Sequence, residues 1–201
     1  MFFAPCVPLF FQGEEFNNPY VEAPRKHDDG TIYAHTCNQN VPGGHVDWLY
    51  SSVMQWEQQD TRFLASFAKA AAIRAGEPLL HYFANTTADA NVLVVSNYST
   101  NATQVPPSAL AAPYLRIWPR GQRAESQMEA ILIVGNDQAQ PLQLTVALPM
   151  AAAGFPAAGS TVVTLTDLFN GQRLQRTRGA LSAGLVLDVA ADDVQAWKLS
   201  V

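Results

Sequence analysis

Residues 7–16, Val-Pro-Leu-Phe-Phe-Gln-Gly-Glu-Glu-Phe, run from an unbroken apolar segment into a polar turn. Val7, Pro8, Leu9, Phe10 and Phe11 do not alternate with polar residues. A run of this kind suits a strand buried on both faces, as in a parallel sheet. Gln12-Gly13-Glu14-Glu15 then breaks it, just past the strand's C-terminal end, where parallel α/β folds carry their functional groups. Eleven residues precede Gln12, too few to hold other strands of such a sheet. The stretch therefore reads as the last strand of a barrel whose remaining strands are not in this sequence.

Working outward, residues 17–46 contain Pro19, Pro24, Gly30, Pro42 and Gly43-Gly44 with little periodicity, and they read as one long loop. Loops of this length in compact domains are usually functional or disordered. Asp47 is positioned to cap a short helix carrying Trp48, Leu49, Val53 and Trp56. Asp60 is a second cap candidate, followed by an apolar stripe of Phe63, Leu64, Phe67, Ala71 and Ile73, with Gly76 and Pro78 as stop signals. Beyond Pro78 the pattern is β-branched or aromatic and is punctuated by Asn, Asp, Gly and Pro. Strands are expected at Leu79–Phe83, Val92–Asn97, Tyr114–Trp118, Ala130–Asn136, Leu142–Leu148, Val162–Leu168, Gln172–Arg176, Leu185–Val189 and Val194–Leu199. Asn170-Gly171 marks a hairpin turn, and 98–113 reads as a Pro- and Ala-rich loop. Many short strands with such turns point to an antiparallel sandwich.

Composition narrows the function classes. The chain has 201 residues, 48% of them apolar and 14% charged, with a net charge of −5. No basic cluster offers a nucleic-acid footprint, and no apolar run approaches the roughly 18 residues of a membrane span. The apolar start lacks the basic flank and cleavage pattern of a signal peptide. Cys6 and Cys37 are too few for a disulfide framework. They leave the compartment open, with the cytoplasm slightly favoured.

Several phrases together carry a resemblance. VPLFFQGEEFNNPY (7–20) resembles the segment that closes the catalytic barrel of the α-amylase superfamily, glycoside hydrolase family 13. Its eighth strand often ends Y-Q-G-E-E; Gly13 and Glu15 fall on the family's Gly and Glu, and Phe11 stands where Tyr is common. FLASFAKAAAIRAGEPLL (63–80) resembles the family's last barrel helix and its exit, with Arg74, Pro78 and Leu79 in register. ILIVGN (131–136), DLFNG (167–171) and VQAWKL (194–199) stand where the family's all-β C-terminal domain has its strand end, its turn and its final strand. The fold the resemblance implies is mainly β. Residues 1–78 would be a remnant of a (β/α)8 barrel, comprising strand 1–12, loop 13–46 and helices 47–76. Residues 79–201 would be an antiparallel β-sandwich domain.

The implied activity is that of a retaining enzyme on α-glucans or α-glucosides, either hydrolase or transglycosidase. Double displacement with retention needs two carboxyl groups about 5–5.5 Å apart across the scissile bond. Adjacent acids on an extended chain point to opposite faces, so Glu14-Glu15, Asp28-Asp29 and Asp192-Asp193 are not such pairs. In the family all three catalytic carboxylates lie upstream of this segment, so no catalytic residue is assigned and the chain is expected to be silent alone.

Glu15 has two readings: bracing the rim by bonding backbone N–H groups or a cation, because a buried carboxylate must be paired, or direct sugar contact. Gly13 is read as backbone geometry. Gln12, Glu15, Tyr20 and Tyr33 are the candidates for substrate binding. Trp48 and Trp56, eight apart, suit core packing, and Trp118 and Trp197 suit the sandwich core. His27, His35, Cys37 and His45 have ligand chemistry but match no compact zinc spacing, so neither metal nor cofactor is expected. The expected partner is carbohydrate in the complete enzyme, with neither nucleic acid nor membrane. The alternative is a non-catalytic carbohydrate-binding or structural β-sandwich module.

Overall fold

The computed structural model describes residues 60–81, 91–101, 112–119, 121–136 and 138–201, and the backbone of short strands at 21–22, 25–26, 32–33 and 52–53. The chain divides into two compact units, one spanning Leu9–Lys69 and the other including Ala70–Val201.

In the first unit, β1 (Val21–Glu22) pairs antiparallel with β4 (Ser52–Val53), and β2 (Arg25–Lys26) pairs with β3 (Ile32–Tyr33). Two expectations change here. The segment 17–46 holds the β2–β3 pair and the β1 strand rather than loop alone, and Val53 lies in a strand instead of on a helix begun at Asp47. Ser51-Ser52-Val53 is a weak helix former, and the Trp48–Trp56 spacing does not outweigh that. The expected strand at 1–12 lies outside the described residues.

Helix α1 (Thr61–Gly76) starts where the sequence placed it. The Asp60 carboxylate accepts from the backbone N–H groups of Arg62 and Phe63 at 3.0 and 3.1 Å, satisfying two donors that a helix start leaves open. The helix ends at Gly76. Its buried face differs from the expected stripe: Ala70 and Arg74 are buried, Ile73 packs beside them, and Phe63 stays 42% exposed. Residues 78–81 then form a single helical turn, α2 (Pro78–His81), where a strand beginning at Leu79 was expected. Pro at a first helical position sacrifices no hydrogen bond, and a short apolar run does not by itself distinguish strand from helix.

The second unit is mainly β. Its strands are β5 (Val92–Val94), β6 (Tyr98–Thr100), β7 (Tyr114–Ile117), β8 (Glu129–Asn136), β9 (Leu142–Val146), β10 (Val162–Asp167), β11 (Arg173–Thr177), β12 (Leu185–Val189) and β13 (Asp193–Ser200). A six-stranded sheet runs β11-β10-β13-β8-β7-β5, a three-stranded sheet runs β12-β9-β6, and every pairing is antiparallel. Among the described residues no strands close into a barrel.

The two sheets enclose one apolar interior. Leu142, Leu144 and Val146 from β9 and Leu185, Leu187 and Val189 from β12 meet Leu115, Leu132, Val134, Val163, Leu165, Trp197 and Leu199 of the larger sheet. In β9, Leu142, Leu144 and Val146 alternate with Gln143 and Thr145 and form the inward face of this sandwich, with Gln143 outside. The opposite face of the larger sheet is covered too. Ile131, Ile133 and Ala196 pack with Ala70, Leu79 and Leu80.

The single strand expected over Val92–Asn97 is a corner. Val95 N–H still donates to Pro113 O beside β7, whereas Asn97 O accepts from Ala147 N–H beside β9. The chain changes sheets between them, and Tyr98–Thr100, expected as loop, becomes β6. The short helix α3 (Arg178–Ala183) was not foreseen either. The Thr177 hydroxyl caps it by accepting from Ala180 N–H at 3.2 Å, and Leu181 plugs the sandwich end.

Candidate functional site

Of the substrate-binding candidates, Gln12, Glu15 and Tyr20 lie outside the described residues, as do Gly13, His27, His35, Cys37, His45, Trp48 and Trp56. Tyr33 is placed by its backbone alone, paired with Arg25. Among the described residues no three His, Cys, Asp or Glu side chains gather as metal ligands, and no helix is long and apolar enough to cross a membrane.

The polar residues of the ILIVGN and DLFNG phrases are structural anchors. Asn136, buried at the end of β8, donates through Nδ2 to Gln140 O and Ala190 O, both at 2.8 Å, and accepts from Gln138 N–H at 3.0 Å. One side chain thus ties the β8–β9 connection to the β12–β13 turn. The buried Asp167 carboxylate accepts from Phe169 N–H and from the Asn170 side chain, while Gly171 N–H returns to Asp167 O. Gly171 has φ +77°, a left-handed conformation that costs a residue with a Cβ about 1–2 kcal/mol.

Trp197 is a sandwich-core residue as expected; its Nε1 donates to Gln195 Oε1 at 3.0 Å. Trp118 is different. It lies just past the end of β7, half-buried, and packs on the helix-covered side of the sheet instead of in the interior. It also lines an open cleft of about 450 Å3 in the second unit. One wall comes from the turn between β7 and β8, with Gly121, Arg123 and Glu125. Ala151-Ala152-Ala153-Gly154, from the turn after β9, also line it, together with Leu93, Ile117 and Met128.

Charge at this cleft is held by a relay of side chains. The Arg123 guanidinium lies 4.7 Å from the centre of the Trp118 ring and 3.9 Å from Glu129. Glu129 is 3.4 Å from Lys198, which also binds Glu77 at 2.9 Å. Burial would lower the Lys198 pKa. The Glu77 hydrogen bond and charge, helped by Glu129, outweigh it and raise the ammonium above its ordinary 10.5. Lys198 stays charged at neutral pH and joins the residue after α1 to the sheet.

Sequence reasoning placed Trp118 in the core and passed over Arg123 and Glu125. The available signal was an aromatic residue at a strand end followed by Pro119 and Gly121, which projects a ring at a turn rather than into a sheet.

No protein-family profile matches the chain, and no curated protein matches it. Among solved structures it is similar to a Bacillus halodurans C-125 protein described as an α-N-acetylgalactosaminidase by assignment. The identity is 15% and the TM-score 0.32, over 45% of this chain and 17% of that one. The chain spans about a sixth of that protein's length, and a likeness this slight assigns no function.

Proposed function

We propose that this chain is the C-terminal, sandwich-bearing part of an α-glucan- or α-glucoside-active enzyme of the α-amylase superfamily, and that it is not catalytic by itself. In this reading residues 1–78 complete a (β/α)8 barrel and 79–201 form the domain that follows it. The observation that carries the reading is the order of elements. The sequence Gln12-Gly13-Glu14-Glu15, which lies outside the described residues, is followed by a capped helix stopping at Gly76 and then by an antiparallel sandwich. Asn136 ends β8 and Asp167–Gly171 forms the turn after β10, which is consistent with the strand-end and turn phrases of the resemblance.

The uses of six of the eight described carboxylates support the silent half of the proposal. Glu77 and Glu129 hold Lys198, Asp167 holds its turn, and Asp60 caps α1. Asp188 binds Gln143, and Asp193 accepts from Val194 N–H. Retaining chemistry needs a nucleophile and an acid/base about 5–5.5 Å apart, and these side chains already serve the fold. The reaction class needs no cofactor. Gln12, Tyr20 and Tyr33 would border the substrate, while Glu15 would brace the barrel rim or reach the sugar.

The test is direct. The purified 201-residue chain should turn over neither maltotriose nor nitrophenyl α-glucoside; turnover would overturn the proposal. DNA upstream of the Met1 codon should continue in frame for about 250–400 residues, given the usual barrel size, and should encode strand-end Asp, Glu and Asp. The alternative, a carbohydrate-binding module, is favoured by one feature alone, the cleft beside Trp118.

A further inference from the structure

We propose that Asn170 is a site of spontaneous chemical modification, which converts it to aspartate or isoaspartate and thereby loosens the β10–β11 hairpin. The first reason is local sequence. Asn170-Gly171 is the chain's one Asn-Gly pair, and Asn170 lies exposed in the turn. Gly171 has no Cβ, so nothing on that residue shields its nitrogen from the neighbouring side chain. That nitrogen can attack Cγ, the side-chain carbonyl carbon of Asn170. The N–Cγ bond forms, the Cγ–Nδ2 bond breaks, and Nδ2 leaves as ammonia with the proton from Gly171. Water then opens the cyclic imide, its hydroxyl joining one carbonyl carbon and its hydrogen returning to the nitrogen. Opening at Cγ gives aspartate; opening at the main-chain carbonyl gives isoaspartate.

The folded turn holds both reacting groups in other bonds. Gly171 N–H donates to Asp167 O at 2.8 Å, and Asn170 Oδ1 accepts from Gln172 N–H at 2.8 Å. Asn170 Nδ2 donates to the Asp167 carboxylate. Attack therefore proceeds from an opened turn. Opening is a local event, because β11 is the outermost strand of its sheet, has no buried side chain and packs Leu174 at the margin of the interior. Segments with few buried contacts open at a lower cost than global unfolding.

The consequence comes from Asp167. This carboxylate is 5% exposed and accepts from the Asn170 amide. Deamidation replaces that donor with a second carboxylate, so a charge-assisted bond becomes a like-charge contact where little water screens it. Asp167 keeps Phe169 N–H at 2.7 Å but loses the partner that ties it to Asn170. Isoaspartate also lengthens the main chain next to Gly171, whose φ is +77°. The bond from Asp167 N–H to Gln172 O, 2.8 Å long in the intact hairpin, then loses its register. Neither step depends on the parent enzyme proposed above.

The experiment incubates the full chain in warm, mildly alkaline buffer, with and without guanidinium chloride, and maps modified residues by proteolysis and mass spectrometry. Asn170 should be modified before buried Asn136, and about tenfold or more slowly in the native chain than in the denatured one. Equal rates in the two states, modification of Asn136 first, or an Asn170 that stays intact in both overturns the proposal. The product is tested with Asn170→Asp. It should lower the folded-to-unfolded ratio about tenfold below that of Asn170→Ala and raise hydrogen exchange at 172–177 with 142–146 still protected. Asp167→Asn combined with Asn170→Asp re-forms an amide–carboxylate pair and should recover part of the loss. An Asn170→Asp chain that fails to fold while the double variant folds supports the same contact. Asn170→Asp as stable as Asn170→Ala, or a double variant no better than Asn170→Asp, removes the charge contact and with it the proposal.

Discussion

The two faces of the six-stranded sheet are covered in different ways. Toward the three-stranded sheet, β8 presents Ala130, Leu132 and Val134 to an interior of aliphatic side chains and Trp197. Toward α1 and α2 it presents Ile131 and Ile133, and the neighbours there include buried Arg116 and bridging Lys198. Arg116 Nη2 donates to Leu79 O at 3.3 Å, and Lys198 reaches Glu77 just past α1. The first face excludes water and supplies the bulk of the folding drive, which scales with apolar area. The second is smaller, and its polar contacts have geometric requirements, so it fixes where the helical segment lies. A sheet can hold one partner by area and another by placement.

The largest effect should come from the sandwich face. Leu132→Ala removes a fully buried side chain and should cost about 2–5 kcal/mol, read by denaturant titration as a lower midpoint for the whole sandwich. Ile131→Ala, equally buried on the other face, should in addition raise hydrogen exchange at the amides of residues 70–81. Identical exchange patterns for the two variants would dissolve the distinction between the faces.

Asn136→Ala should cost about 2 kcal/mol, because Gln140 O and Ala190 O lose a buried donor. The effect belongs at the sandwich end, so exchange near 138–140 and 190–192 should rise while 70–81 stays protected. Gly171→Ala comes next, at about 1 kcal/mol, from the left-handed backbone alone. Nothing lies within 4 Å of the added methyl, so a much larger loss would point to a different turn.

Glu77→Gln should be the mildest, about 1 kcal/mol, since Glu129 continues to face Lys198. It should act on the helical face, raising exchange at 74–81. The pH dependence has a definite sign. The folded Lys198 pKa stands above the ordinary 10.5, so its contribution is complete below 10.5 and fades as pH rises through the folded value. Wild type should lose stability over that alkaline range more steeply than Glu77→Gln. Equal slopes would remove Lys198 from the account.

Local chemistry explains which parts were legible. Asp60 was readable as a cap because the carboxylate that satisfies the first N–H groups is encoded beside them. Asn170-Gly171 was readable as a hairpin because its backbone angles depend on those two residues. The strands from Tyr114 onward were readable from periodicity and punctuation. The turn at Pro78–His81 and the corner at Val95–Asn97 were not, because a short apolar run has no local preference strong enough to choose between helix and strand or between two sheets. The cleft was missed for a related reason: its lining segments lie some thirty residues apart in sequence, and Trp118 reads as an ordinary strand aromatic until Ala151–Gly154 is brought to the same cleft.

By itself the sequence determined that, α3 apart, the chain from Tyr114 to Val201 is antiparallel β with hairpin turns, that a helix begins at Thr61 and stops at Gly76, and that Asn136 and Asp167 sit at strand ends. Each follows from interactions within a few residues, where side-chain type sets backbone angles and hydrogen-bond partners. The tertiary structure alone decided how Ala130–Val134 divides its side chains between two faces, why Lys198 is charged and bridging, and that Trp118 borders a cleft. Those outcomes depend on which distant segments exclude water from a given side chain, and burial by a partner leaves no mark in the residues that will be buried.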